Sequence, residues 1–145
     1  MTKNKIIPPV DINLIEKELN KDTFVRHTNK ANNEIYIVNY HNSPNVIREI
    51  GRLREITFSD AGGGTGKEID IDDMDISDNC YDQLIVYDRD NKIISSGYRF
   101  INCAKVLNGD SDNIELSTRH YFNFSKEFIT DYLPHTIELG RSWVH

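Results

Sequence analysis

The chain is 145 residues long, 38% hydrophobic and 28% charged, with a formal net charge of −6. That is one domain's worth of polypeptide, long enough to bury a real core, and its acidic balance argues against a nucleic-acid partner, which is held by neutralising phosphate. Two cysteines, Cys80 and Cys103, are too few for a disulfide framework and lack metal-ligand spacing, so they read as reduced, partly buried thiols.

No apolar run near the start is long enough for a signal peptide or a membrane span, which points to a cytoplasmic protein. Pro8-Pro9-Val10 is a rigid lead-in, and Asp11 suits the N-cap of a short helix reaching about Leu19, with Leu14, Ile15 and Leu19 on one stripe. Residues 20–33 are polar and read as a loop. Residues 1–33 together form an N-terminal extension anchored on the body by Phe24 and Val25.

The body, residues 34–145, opens with a β-branched and aromatic run from Glu34 to His41, which predicts a strand. Ser43-Pro44 then offers an N-cap and a first-turn proline, and Val46, Ile47, Ile50 and Leu53 recur at helical spacing to about Phe58. Arg48, Glu49, Arg52 and Glu55 fall on the opposite, solvated face, while Arg54 beside Leu53 is placed to turn inward.

Ala61-Gly62-Gly63-Gly64-Thr65-Gly66-Lys67 resembles a phosphate-binding loop but fails its pattern. Ala61 stands where the first glycine belongs, and Glu68 stands where a hydroxyl should follow the lysine. A flexible loop, with the makings of a lid, is the better reading. The acidic run from Asp70 to Asp78 does not match a calcium-binding EF-hand in either register, since Asp75 or Asp78 replaces the required glycine. Asp70, Asp72 and Asp73 read as a solvated acidic loop.

Gln83 to Tyr87, the turn Asp88 to Asn91, and Lys92 to about Val106 make a hairpin, with Gly97 marking a bend or a close backbone approach and Arg99 set between aromatic neighbours. Ser125 caps a short helix that Pro134 stops. The final run, His135 to His145, reads as a buried strand through Ile137, Leu139, Trp143 and Val144, yet it carries Glu138 and Arg141. Three apart on a regular strand, those two charges point to opposite faces. Gly140 permits a bulge that turns both toward one cavity. No serine–histidine–acid triad can be assembled, and the five histidines, scattered along the chain, read as surface or packing residues.

Six charges therefore sit in strand or helix-end contexts: Arg54, Asp75, Asp78, Arg99, Glu138 and Arg141. Their setting is Leu53-Arg54, Asp75-x-x-Asp78 ahead of Leu84-Ile85-Val86, Gly97-Tyr98-Arg99-Phe100, and Glu138-Leu139-Gly140-Arg141-Ser142. In that order the motifs resemble the GNAT-like N-acyltransferases related to acyl-homoserine-lactone synthases. The nearest likeness is to ornithine–acyl carrier protein N-acyltransferases, often labelled hemolysin-like, and to long-chain N-acyl amino acid synthases. It covers about residues 10–145, and the extension looks like that of Bacteroidetes members, some of which acylate glycine.

The resemblance implies an α+β fold, the N-terminal antiparallel half of a GNAT-like acyl-CoA N-acyltransferase, with about four strands in a central sheet and flanking helices. It implies acyl transfer from an acyl carrier protein or coenzyme A thioester to the amino group of an amino acid such as ornithine or glycine, for aminolipid synthesis. No tightly bound cofactor or metal is implied beyond the acyl donor, and peripheral association with the inner face of a membrane is. Glu138 matches the family's strand glutamate and becomes the candidate base that frees the attacking amine, with Arg141 beside it as the second catalytic candidate. Asp75 and Asp78 suit an amine-bearing acceptor, while Arg54, Arg99 and Arg141 suit its carboxylate. Backbone N–H groups at the bulge suit the oxyanion.

The same six residues also suit a purely structural role, as an ion network fixing helix and loop to the sheet. Family members continue beyond the Arg-Ser-x-Val-His strand into a pantetheine-binding segment, whereas this sequence ends at His145. The expectation is a fragment with an unpaired strand edge and little transfer activity by itself. An acyl-homoserine-lactone-type signal synthase and an inactive binding or remnant domain are the alternatives.

Overall fold

The computed structural model describes residues 5–145. The order is α1 (Ile12–Glu18), β1 (Phe24–His27), β2 (Glu34–Val38), α2 (Pro44–Asp60), α3 (Asp73–Ile76), β3 (Asp82–Asp88), β4 (Ile93–Asn102) and β5 (Ile137–Val144), with short 3-10 and π turns between β4 and β5. The five strands lie in sequence order, each antiparallel to the next. The sheet has five strands rather than about four because residues 24–27, read from sequence as loop, pair with β2. Four residues with polar neighbours give almost no alternating pattern, so partner strand β2 rather than local sequence makes β1 a strand.

Two expectations about the first elements are corrected. Phe24 and Val25 are largely exposed, and the extension is held instead by Ile15 and Leu19, both in the core. Ser43 supplies no cap to α2. Glu18 does so from α1, its carboxylate accepting from the backbone N of Asn45 at 3.1 Å and of Val46 at 2.8 Å. A carboxylate there satisfies orphan N–H groups and meets the positive end of the helix dipole.

Strand alternation gives the sheet an inner face carrying Tyr36, Val38, Gln83, Ile85, Tyr87, Arg99, Ile101, Glu138 and Trp143. Two apolar clusters form on it. One joins α1 and α2 to Val38, Ile85, Ile94 and Trp143; the other gathers Tyr81, Ile101, Cys103, Leu116 and Leu133. Gln83, Arg99 and the β5 bulge occupy the inner-face positions between them, so a polar row crosses the sheet. Both cysteines are buried and unpaired to each other.

Two glycines make close approaches. A side chain at Gly97 would put its Cβ 2.7 Å from the Leu84 carbonyl oxygen, so β4 needs glycine to lie against β3. A Cβ at Gly51 would fall 2.6 Å from the Ile71 side chain. Its absence lets the 69–71 segment cross α2, with Asp70 N donating to Gly51 O at 2.9 Å. That crossing carries Asp70 to Arg54.

Candidate functional site

The charges of α2 set the site's frame. Arg54 is fully buried, and its guanidinium forks onto Asp75, with Nη1 to Oδ1 at 3.1 Å and Nη2 to Oδ2 at 2.9 Å, while Nε donates to Asp70 at 3.3 Å. Asp75 is also fully buried and accepts from Gln83 Nε2 at 2.9 Å and from the Asp72 backbone N at 3.1 Å. Asp72 returns the favour as N-cap of α3, which makes a capping box of the Asp72–Asp75 turn.

Arg99 reaches the same cluster from β4, its Nη1 donating to Asp72 Oδ1 at 2.7 Å and lying 3.2 Å from Asp75 Oδ1. Arg141 comes from β5, with Nη1 on Asp70 at 3.0 Å and Nη2 3.7 Å from Asp72. Three arginines thus meet three aspartates, which cancels their charge locally. Burial works against the charge of Arg54 and of Asp75. Their mutual hydrogen bonds and attraction outweigh it, leaving Arg54 above its ordinary pKa and Asp75 below 3.8.

The bulge expected in β5 is present, but Arg141 and not Gly140 adopts the left-handed backbone, at φ 50°. Gly97 pairs with Trp143 and Arg99 with Gly140, so Arg141 and Ser142 together stand opposite Tyr98. An arginine in that conformation is strained, and its hydrogen bond to Asp70 and ion pair with Asp72 hold it there. The extra residue also resets the alternation. Glu138 and Trp143, five apart, both face inward.

Glu138 lies at the other end of the polar row and does not touch the arginine cluster. Oε1 accepts from the Tyr81 hydroxyl and from Ser117 N at 3.1 Å; Oε2 accepts from Thr118 N at 3.1 Å and Thr118 Oγ1 at 2.5 Å. Tyr81 bridges the two ends, since the Arg99 guanidinium sits over its ring, 5.1 Å from the centroid. Burial, reinforced by the bond to Glu138, pushes the Tyr81 phenol well above its ordinary pKa.

A cavity of about 700 Å³ opens beside this bridge, its wall including Tyr81, Arg99, Ser117, Arg119, His120 and Asp72. Arg99 bonds to the aspartates only through Nη1, and its buried Nε has no partner among the described residues. Arg119 is steered by the Phe124 ring, 5.2 Å from its guanidinium carbon.

Of the six charges singled out from sequence, Arg54, Asp75, Arg99 and Arg141 come together, Glu138 joins through Tyr81, and Asp78 does not join. Asp78 is exposed, and its backbone oxygen contacts His41. The short α3 ends at Ile76, which turns Asp78 away from the cluster. Its place is taken by Asp70 and Asp72, read from sequence as solvated. Glu49 and Glu55, assigned to the wet face of α2, are buried as well. Glu55 grips the glycine-rich loop, accepting from Thr65 N at 3.0 Å, Thr65 Oγ1 at 2.6 Å and Gly66 N at 2.8 Å. That loop lines none of the cavities described. The sequence did carry one missed signal: Tyr81, Gln83, Ile85 and Tyr87 alternate, so Gln83 marks a polar position on an inward face.

Among the described residues no group of three or more His, Cys, Asp and Glu side chains is arranged to hold a metal ion, and no helix is long and apolar enough to cross a membrane.

An antiparallel α+β sheet with a bulged last strand and a charged cleft fits the class of GNAT-like acyltransferase folds. The acetyltransferase (GNAT) domain family matches residues 53–145, and the chain belongs to that family. It is 48% identical over 140 residues to a protein of Phocaeicola vulgatus named glycine N(alpha)-acyltransferase, and 50% identical over 140 residues to one of the same name from Bacteroides thetaiotaomicron. These alignments cover 97% of this chain but 43% and 42% of the two relatives, so the chain spans less than half their length. No solved structure matches it.

Proposed function

We infer that this chain supplies the acceptor-binding and proton-handling part of an N-acyltransferase that moves a fatty acyl group from a thioester to the amino group of glycine. The observation that carries the reading is the arrangement of Tyr81 and Arg99 on one wall of the cavity, with Glu138 bonded to the Tyr81 hydroxyl behind it. The names of the two relatives favour glycine over ornithine as acceptor.

The chemistry needs three things. The acceptor's carboxylate must be held, and Arg99 and Arg119 are the wall cations not saturated by aspartates. Its ammonium must be drawn in and deprotonated, for which Asp72 on the wall and Glu138 behind it are suited. The carbonyl oxygen must be stabilised as charge develops, for which the strand interruption at Arg141 and Ser142 offers backbone donors. Arg141, with part of its side chain open, belongs beside that step, whereas Arg54 and Asp75 hold the frame and Asp78 has no part. The donor is acyl-coenzyme A, the usual donor of a GNAT domain, with acyl carrier protein as the second donor to try and a membrane surface as the destination of the product.

The test is an acyl-transfer assay on the natively expressed polypeptide that carries this sequence, its mass measured first. Long-chain acyl-coenzyme A and acyl carrier protein donors are offered with glycine, ornithine and other amino acids. The expected result is N-acylglycine from the coenzyme A donor. A polypeptide of verified mass that is inert with every donor, or that prefers ornithine, contradicts the reading.

A further inference from the structure

Glu138 is not part of the cavity wall. Its two oxygens are taken up by four donors from three residues, Tyr81, Ser117 and Thr118. A proton from a substrate in the cavity therefore reaches it through one of these groups. Thr118 is not on the wall either, while Ser117 and Tyr81 are. Ser117 offers Glu138 only a backbone N–H, which cannot give up its proton and take another at neutral pH. Tyr81 offers a hydroxyl, which can.

Resting on the acyltransferase reading above, we propose that Tyr81 is a catalytic residue, the relay that carries the acceptor's proton from the cavity to Glu138. One N–H bond of the acceptor's ammonium breaks as its proton passes to the Tyr81 oxygen, and the Tyr81 proton passes to Oε1 of Glu138. The amine is left with a free lone pair, Tyr81 is neutral as before, and Glu138 is a neutral acid. The amine then adds to the thioester carbonyl. When the intermediate collapses, the C–S bond breaks, the departing sulfur takes the second N–H proton, and amide and thiol result. Glu138 returns its proton to water through Tyr81.

The surroundings suit this task. Ser117 N donates to the Tyr81 oxygen at 3.0 Å, fixing the hydroxyl's direction and leaving it one further lone pair for the ammonium. Arg99 over the ring anchors the phenol in place, and the same guanidinium, on the cavity wall, is a carboxylate site that sets an α-amino group near the hydroxyl. The charged and titratable groups around Tyr81 are Glu138 from β5, Arg99 from β4, Cys103 after β4, Asp72 and Asp73 at the start of α3, and Arg119 and His120 from the 117–120 turn. The rest state keeps the phenol protonated, as a relay needs, since burial raises its pKa.

The test compares Tyr81→Phe and Glu138→Gln in the polypeptide that shows wild-type transfer. The relay predicts a fall in kcat of at least about 100-fold for each, with the acceptor KM within about twofold. The double variant is no worse than either single one, because the two act as a unit. The rate of Tyr81→Phe recovers as pH rises and the acceptor in solution loses its own proton. A Tyr81→Phe enzyme with wild-type kcat and pH profile, beside an inactive Glu138→Gln, overturns the relay and leaves the acyltransferase reading standing. A rise in KM alone overturns it in favour of a binding role. Inactivity of the wild type would instead sink the function itself. If Tyr81→Phe does not fold, 3-fluorotyrosine at position 81 keeps the shape while making the phenol more acidic. The acidic limb of the kcat profile then moves to lower pH, and an unmoved limb overturns the relay.

Discussion

The polar row on the sheet's inner face has a closed end and an open end. At the closed end, Arg54, Asp70, Asp75 and Gln83 satisfy one another, and Arg54 and Asp75 are sealed from solvent. At the open end, Arg99 lines the cavity and bonds to the aspartates through Nη1 alone, Arg119 has no side-chain partner among the described residues beyond an aromatic ring, and Tyr81 links Glu138 to that cavity. The same residue types serve both ends, so charge type alone does not say which does chemistry. Saturation does. A buried charge whose every bond is answered within the fold can only hold the fold together. One with a donor left over beside a void can meet a ligand.

The comparison is broken most severely at its closed end. Replacing Arg54 with alanine strands Asp75 without its main counter-charge and takes one of two arginines from Asp70, and breaking a buried pair in this way costs about 3–5 kcal/mol. Chemical denaturation should register a loss of that size, and a loss under about 1 kcal/mol would mean that water or Arg99 takes over.

A smaller effect appears with acid. The folded pKa of Asp75 lies below 3.8, because the gain from Arg54 outweighs burial. The folded protein thus binds this proton less readily than the unfolded chain does. The stability it contributes is complete above the ordinary carboxylate range and is lost as pH falls below about 4 toward the folded value. Fluorescence of Trp143, the single tryptophan and buried, should report acid unfolding in that window. Asp75→Asn should show a shallower acid dependence from a lower starting stability.

Smallest of all is Asp78→Asn. With its side chain outside the row, the change should stay within about 0.5 kcal/mol in unfolding and leave transfer unaltered. A clear loss of rate would return Asp78 to the site.

Much of this fold was legible in the sequence. The hairpin of β3 and β4, the long α2 and the bulge of the final strand followed from alternation, helical spacing and a glycine beside two charges, whereas Ile137, Leu139 and Val144, expected to be buried in that strand, are exposed. The short β1 was not legible, because four residues carry little pattern without their partner strand. Within the site, Arg54, Arg99 and Glu138 stood out as charges in apolar settings. Asp70 and Asp72 did not, because an acidic run looks solvated until Gly51 is known to bring the 69–71 segment across α2. Tyr81 was hidden for a different reason. A tyrosine entering a strand is an ordinary core residue, and only its hydroxyl's partner reveals another use.

The most direct measurement sets the rate of glycine acylation by Arg99→Gln against that of the wild type, with the unfolding midpoint of both recorded alongside. If the open end meets the acceptor, the glycine KM rises at least about tenfold, as expected for a lost charged hydrogen bond, while the fold stays cooperative. An unchanged KM in a folded Arg99→Gln protein would contradict the account, and would make Arg99 one more strut of the closed end.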